Sequence, residues 1–137
     1  MGPTVKLLLP VALLALAGCA TADRGPINPV GHFQYGALGH DPFWILAIGD
    51  DWIVLTLGGE GGRADGGLAS FEYPRALPSE ADGVRRWQSG EGTGSIKVEA
   101  RPETCTQAGR TYPDRVKVTL SRRVLEGCGG REAGGRG

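Results

Sequence analysis

The stretch from residue 33 to residue 128 consists of short β-prone runs separated by turn residues. In residues 95–100 and 115–120, every second side chain is apolar. This period of two places the apolar side chains on one face of a strand, and no run has the 3.6-residue spacing of an amphipathic helix. The sequence therefore predicts an all-β domain, a small antiparallel barrel or a two-sheet sandwich of about eight short strands.

Two early runs, residues 43–48 and 52–57, are predicted to form a hairpin because the polar residues 49–51 join them closely. Both faces of these runs carry apolar residues, so one face is expected to contact more than open water. Residues 76–83 are predicted to form at most one helical turn. Four further predicted strands bring the total to about eight: residues 33–38, 68–73, 84–88 and 123–128.

Composition limits the function classes. The chain has 137 residues, with 15 basic and 15 acidic side chains and 24 glycines. This length is typical of one domain, and the zero formal charge argues against a nucleic-acid-binding protein. We therefore predict no nucleic-acid partner.

The N-terminal segment has the pattern of an export signal. Lys6 precedes an apolar stretch at residues 7–17, and Leu16-Ala17-Gly18-Cys19 closes the segment. These residues resemble the lipobox of bacterial lipoprotein signal peptides. The resemblance implies that residues 1–18 are removed and that Cys19 receives a diacylglyceryl lipid anchor. The alternative is an ordinary secretory signal with a chance cysteine.

Three further segments follow from this interpretation. Residues 19–31 are predicted to be a tether, residues 32–129 the β domain, and the glycine-rich residues 130–137 a disordered tail. In the lipoproteins that this segment resembles, an aspartate after the lipidated cysteine retains the protein at the inner membrane. Ala20 occupies that position here, which favours the periplasmic face of the outer membrane and leaves the inner membrane as an alternative.

The two remaining cysteines, Cys105 and Cys128, are predicted to form a disulfide in an oxidising compartment. A metal or redox site is the alternative. The sequence contains no C-x-x-C motif, and His32 and His40 are its only histidines, which leaves few ligands for a zinc ion. We therefore predict no metal and no cofactor.

A catalytic interpretation would begin at His40-Asp41, with His40 as a base and Ser70 or Ser95 as a nucleophile. Adjacent residues on a strand point to opposite faces, and no G-x-S-x-G motif is present. Asp41-Pro42 is instead predicted to form a turn, since both residue types favour one. We predict that the protein is not an enzyme.

The same turn carries a family resemblance. Gly39-His40-Asp41-Pro42-Phe43-Trp44 resembles the G-x-E-P-F-W signature of a group of small bacterial lipoproteins. That group ends in a cysteine, Y-P, V-x-V and G-C, which correspond here to Cys105, Tyr112-Pro113, residues 116–118 and Gly127-Cys128. Two features depart from the pattern: Asp41 replaces the usual glutamate, and residues 106–111 lack the expected Asp-x-Met-Ser stretch.

Proteins of this group are similar in size and setting to META-domain lipoproteins and to membrane-bound inhibitors of c-type lysozyme. No inhibitor motif of those proteins can be matched to residues of this sequence. The preferred hypothesis is a periplasmic binding or inhibitor-like module whose tethered barrel presents loops, such as residues 58–67, to an envelope protein or a cell-wall-associated partner. A carrier of small apolar ligands is a second hypothesis, in which Trp44, Trp52 and Trp87 line a cavity. A structural envelope-stress lipoprotein is a third.

Trp44 is predicted to be a core residue. The alternation that starts there places Leu46 and Ile48 on its face, which is more apolar than the face of Phe43 and Ala47. The motif from Asp41 to Trp44 is therefore expected to maintain the fold, with no direct part in chemistry.

Overall fold

The computed structural model describes residues 30–59 and 66–131. Within these residues the secondary structure is almost entirely β, which confirms the predicted all-β class. The strands are, in chain order, β1 Phe33–His40, β2 Phe43–Gly49, β3 Trp52–Leu57, β4 Ala69–Pro74, β5 Ser79–Ala81, β6 Val84–Ser89, β7 Ile96–Arg101, β8 Cys105–Gln107, β9 Arg110–Tyr112, β10 Asp114–Leu120 and β11 Arg123–Gly130.

Nine of these strands form one antiparallel sheet in the order β4-β3-β2-β1-β11-β10-β7-β6-β5. The sheet curls into a half-barrel, and β8 and β9 form a separate two-stranded sheet. The predicted hairpin is confirmed, with Leu46 opposite Leu55 across β2 and β3. Residues 92–94 form a single 3-10 turn between β6 and β7.

The core lies on the inner face of the curled sheet. It is formed by every second residue of the strands, as the period of two predicts. Ile96, Val98 and Ala100 on β7 are buried, as are Val116 and Val118 on β10. β2 and β3 contribute Trp44, Leu46, Ile48, Ile53, Leu55 and Leu57 to the same cluster.

Two contacts join strands that are distant in the sheet. The rings of Tyr35 on β1 and Trp87 on β6 lie 4.9 Å apart between centroids, although three strands separate β1 from β6. Ser89 Oγ on β6 donates a hydrogen bond to the carbonyl oxygen of Pro74 on β4, at 2.5 Å. The curl therefore brings the two sides of the sheet together around a filled interior.

The disulfide between Cys105 and Cys128 is present, which confirms the predicted pairing. It joins β8 to β11, with a Cα–Cα distance of 5.5 Å. Gln107 on β8 also donates from Nε2 to the carbonyl oxygen of Leu38 on β1, at 2.9 Å. The small sheet is thus fixed against the outside of the large one.

The structure differs from the sequence-based expectations in three places. Residues 76–83 contain the short strand β5 and no helical turn, because Ser79–Ala81 pair with β6. Val30, assigned to the tether, is buried, and its carbonyl oxygen accepts a hydrogen bond from Asp51 N at 2.9 Å, which joins it to the β2–β3 turn. Gly130, assigned to the tail, is the last residue of β11.

Cys19 lies outside the described residues, as do residues 1–18, most of the predicted tether and residues 132–137. In the part of the chain that is described, no helix has the length and hydropathy needed to span a bilayer.

Candidate ligand-binding site

The predicted motif lies at the turn between β1 and β2. β1 ends at His40 and β2 begins at Phe43, so Asp41 and Pro42 form the turn, as predicted, with a cis peptide bond between them. We call this end of the barrel the motif end. The opposite end, which we call the entry end, contains the start of β1 and the β2–β3 turn at residues 49–51.

Trp44 is fully buried, in agreement with the sequence-based prediction. Its indole lies over two glycines: Gly39, its partner across the hairpin, and Gly127 on β11. A Cβ atom at either glycine would collide with the indole or the neighbouring backbone. The structure therefore supports a packing role for Trp44. Phe43 is half-buried and lies next to Gly58.

One part of the second half of the motif, Tyr112-Pro113, lies toward the entry end. Tyr112 pairs with Cys105 in the small sheet, and Pro113 lies against Gly130. Gly130 in turn pairs with Gly36, in the first half of β1. Gly127, which also belongs to the second half, lies under the Trp44 indole. The two halves of the motif therefore meet at Trp44, while Tyr112-Pro113 is displaced toward the entry end.

The residues of the catalytic hypothesis do not form a catalytic arrangement. His40 and Asp41 are exposed. Ser70 Oγ shares a hydrogen bond with Thr56 Oγ1 at 2.9 Å, and Ser95 Oγ donates to the carbonyl oxygen of Gly92 at 2.9 Å. Each serine hydroxyl is thus bonded within its own local structure.

Two adjoining concavities at the entry end form a groove that is lined by several arginines. One has a volume of about 380 Å³ and the other about 590 Å³, and both are open to solvent. They share Arg85 and Arg131, while Arg75 lines the first and Arg110 the second. We call this combined surface the arginine groove.

Arg85 is held in place by three features. Its register opposite Ala100 puts it on the inner face of β6, together with Trp87. Its guanidinium carbon lies 5.8 Å from the Trp87 ring centroid, within the range of cation–π attraction. Its Nε donates to Glu80 at 3.3 Å. Arg85 is therefore part of the groove wall.

Tyr35 and Asp114 form the floor of the second concavity. Tyr35 Oη donates to Asp114 Oδ2 at 2.6 Å. This bond passes over β11 at Gly129, where a side chain would collide with the phenol. Burial, reinforced by the hydrogen bond to Asp114, raises the pKa of the Tyr35 hydroxyl far above its usual value of 10.0.

Three carboxylates of this end have hydrogen-bond partners. Asp114 accepts from Tyr35, Glu80 accepts from Arg85, and Asp50 accepts from His32 N at 2.8 Å. By contrast, Arg75, Arg110 and Arg131 have no ion-pair partner among the residues that the structure describes. Three guanidinium groups are therefore free to bind anionic oxygen atoms, for which their planar fork of donors is suited.

The tryptophans of the carrier hypothesis are dispersed. Trp44 and Trp87 belong to the packed core, while Trp52 is 41% exposed on the outer face of β3. They do not line a common cavity. Across residues 30–59 and 66–131, no group of three or more His, Cys, Asp or Glu side chains is arranged to hold a metal ion.

Sequence analysis did not identify the arginine groove. Its four arginines come from the β4–β5 loop, β6, β9 and the end of β11, so no local motif contains them. One signal was available: strand alternation places Arg85 on the same face as Trp87. Once Trp87 is assigned to the core, Arg85 must lie on the same inner face, near the end of the strand and so at the rim of the barrel.

No protein-family model, no curated protein and no solved structure matches this chain.

Proposed function

We propose that this protein is a lipid-anchored, non-catalytic binding module of the bacterial cell envelope. Residues 16–19 support an anchor on Cys19, and Ala20 favours the periplasmic face of the outer membrane, with the inner membrane as the alternative. The Cys105–Cys128 disulfide agrees with an oxidising compartment.

The observation that carries the proposal is a filled barrel whose concavities lie on its surface. Tyr35, Trp44 and Trp87 occupy the interior as core residues, and the arginine groove is open to solvent. A carrier of apolar ligands would need an enclosed apolar cavity. Surface binding is therefore favoured over the carrier hypothesis.

The partner surface is proposed to lie at the motif end, around the loop of residues 58–67. This loop joins β3 to β4, and residues 60–65 of it lie outside the described part. Leu68, at its end, is 58% exposed, and Ile45 is exposed on β2. Exposed apolar residues beside a loop are typical of a surface that binds another protein.

Cell fractionation tests the anchor. The full chain and its Cys19→Ser variant are expressed with their own signal segment, and the fractions are probed for the protein. We expect the parent in the outer-membrane fraction and the variant outside it. The same distribution for both would contradict the proposal.

Cross-linking in intact cells tests the partner surface. A photoreactive residue at position 68 should yield a discrete cross-linked product, whereas one at the exposed position 103, after β7 at the opposite end, serves as the control. Shortening the loop by residues 60–65 should abolish the product. A product that is equally strong from both positions would contradict a specific partner surface.

A further inference from the structure

The chain enters the fold beside the arginine groove. The carbonyl oxygen of Val30 accepts hydrogen bonds from Asp51 N at 2.9 Å and Trp52 N at 3.4 Å. The same turn supplies Gly49 and Asp50 to the lining of the groove. The tether therefore joins the fold at the entry end.

The length of the tether limits how far the groove can lie from the membrane. Val30 follows Cys19 by eleven residues. A fully extended chain spans at most about 3.3–3.6 Å per residue, so this distance is at most roughly 36–40 Å. If Cys19 is lipidated, as in the proposed function on which this inference rests, the arginine groove stays close to the headgroups of that bilayer.

The entry end combines basic and exposed apolar side chains. Leu77, which lines the groove, is 76% exposed, and Trp52, at the start of β3 outside the groove, is 41% exposed. Tryptophan and leucine beside arginine are typical of surfaces that contact the membrane interface, where apolar parts meet the acyl boundary and guanidinium groups meet phosphates.

We propose that the arginine groove binds the phosphate of an anionic phospholipid headgroup. Arg75, Arg110 and Arg131 supply the guanidinium donors, and Tyr35 donates to one oxygen, Oδ2, of the Asp114 carboxylate beside them. The entry end then rests on the membrane that holds the anchor, and the motif end, where β3 ends and β4 begins, faces away from it.

A lipid phosphate fits these observations better than a soluble phosphate. Both concavities are open, which suits a headgroup presented by a flat bilayer. The tether also makes contact with the bilayer effectively intramolecular, so weak individual contacts suffice. Exposed Leu77 and Trp52 would not contribute to the binding of a soluble phosphate, because such a ligand has no apolar part to contact them.

Vesicle binding of a lipid-free protein tests the proposal. The mature chain, residues 19–137, is prepared with Cys19→Ser, so that no covalent anchor contributes. Cosedimentation is measured with vesicles of phosphatidylcholine alone and with vesicles that also contain phosphatidylglycerol. We expect binding to the second kind only, and weaker binding as the salt concentration rises.

Two double variants with the same change in net charge locate the binding surface. Arg110→Gln with Arg131→Gln should lower the partition coefficient by roughly 25-fold, at about five-fold for each lost charge. Arg122→Gln with Arg123→Gln alters the β10–β11 turn at the motif end and should change it by less than about two-fold. Equal losses in both variants, or no loss in either, would overturn the proposal.

Titration with glycerol 3-phosphate, followed by the backbone NMR signals of residues 110 and 131, distinguishes the two sources of phosphate. Saturable shifts without any vesicle binding would overturn the lipid assignment. Thermal unfolding confirms that both double variants retain the fold. The protein in this experiment carries no lipid anchor. A failure to bind vesicles would therefore contradict phosphate binding by the groove without bearing on whether cells modify Cys19.

Discussion

The indole of Trp44 lies over Gly39, its directly opposite partner across the β1–β2 hairpin. The same ring extends to Gly127 on β11, so it crosses β1 and packs against two neighbouring strands. The absence of side chains at both glycines creates the space for the largest core residue. This relationship explains why a motif on an exposed turn contains a buried tryptophan.

Trp44→Ala is expected to lower the free energy of unfolding by about 3–5 kcal/mol, because it empties the centre of the core. Chemical denaturation monitored by circular dichroism measures this loss. Trp52→Ala, on the outer face, and His40→Ala, at the exposed end of β1, are the controls and should cost far less. A Trp44→Ala protein that is as stable as the parent but loses its partner would show that the motif is a recognition site.

Gly39→Ala is expected to destabilise the fold by about 1–3 kcal/mol, since the new methyl group displaces the indole. Gly94→Ala is the matched control, because a Cβ there meets nothing within 4 Å. In the Trp44→Ala background the cost of Gly39→Ala should largely disappear. A cost that is unchanged in that background would contradict the proposed contact between the two residues.

Removing the disulfide with Cys105→Ala and Cys128→Ala is expected to cost roughly 3 kcal/mol, from the entropy of the loop that it closes. The cysteines are 23 residues apart. Urea denaturation of the parent and the double variant, both without reductant, measures the difference. A double variant with unchanged stability would contradict this contribution and would show that non-covalent contacts, such as the Gln107–Leu38 hydrogen bond, suffice to hold the small sheet.

Alkaline pH is expected to weaken the fold through Tyr35. Because its pKa is raised, the native state keeps the hydroxyl proton above about pH 10, where the unfolded chain has lost it. The free energy of unfolding should therefore fall as pH rises past about 10, by up to about 1.4 kcal/mol per pH unit for this group.

Tyr35→Phe isolates this contribution. The unfolding free energy of this variant should fall less steeply above about pH 10 than that of the parent. Part of the fall that remains in the variant is expected from Tyr73, because burial raises the pKa of that residue too. Urea denaturation over a series of alkaline pH values provides the comparison. Equal slopes for the parent and the variant would contradict a buried, protonated Tyr35.

Much of the fold follows from local patterns. The runs at residues 95–100 and 115–120 alternate cleanly, and they became β7 and β10 with the predicted faces buried. The strands β5, β8 and β9 have three residues each, which is too short for a period of two to be recognised. They depend on pairing with longer strands or on the disulfide.

The arginine groove could not be predicted in the same way. It exists because the sheet curls far enough to bring Tyr35 on β1 against Trp87 on β6. That curl depends on long-range packing over glycines such as Gly127 and Gly129, which sequence alone does not place. Trp44 was predictable, by contrast, because its own strand determines its face.

The intact mass of the protein purified from the membrane fraction tests the central proposal, a lipid-anchored envelope module, most directly. We predict the mass of the chain from Cys19 to Gly137 with one disulfide, increased by at least a diacylglyceryl group. An unmodified Cys19, or a chain that still carries residues 1–18, would contradict the proposal.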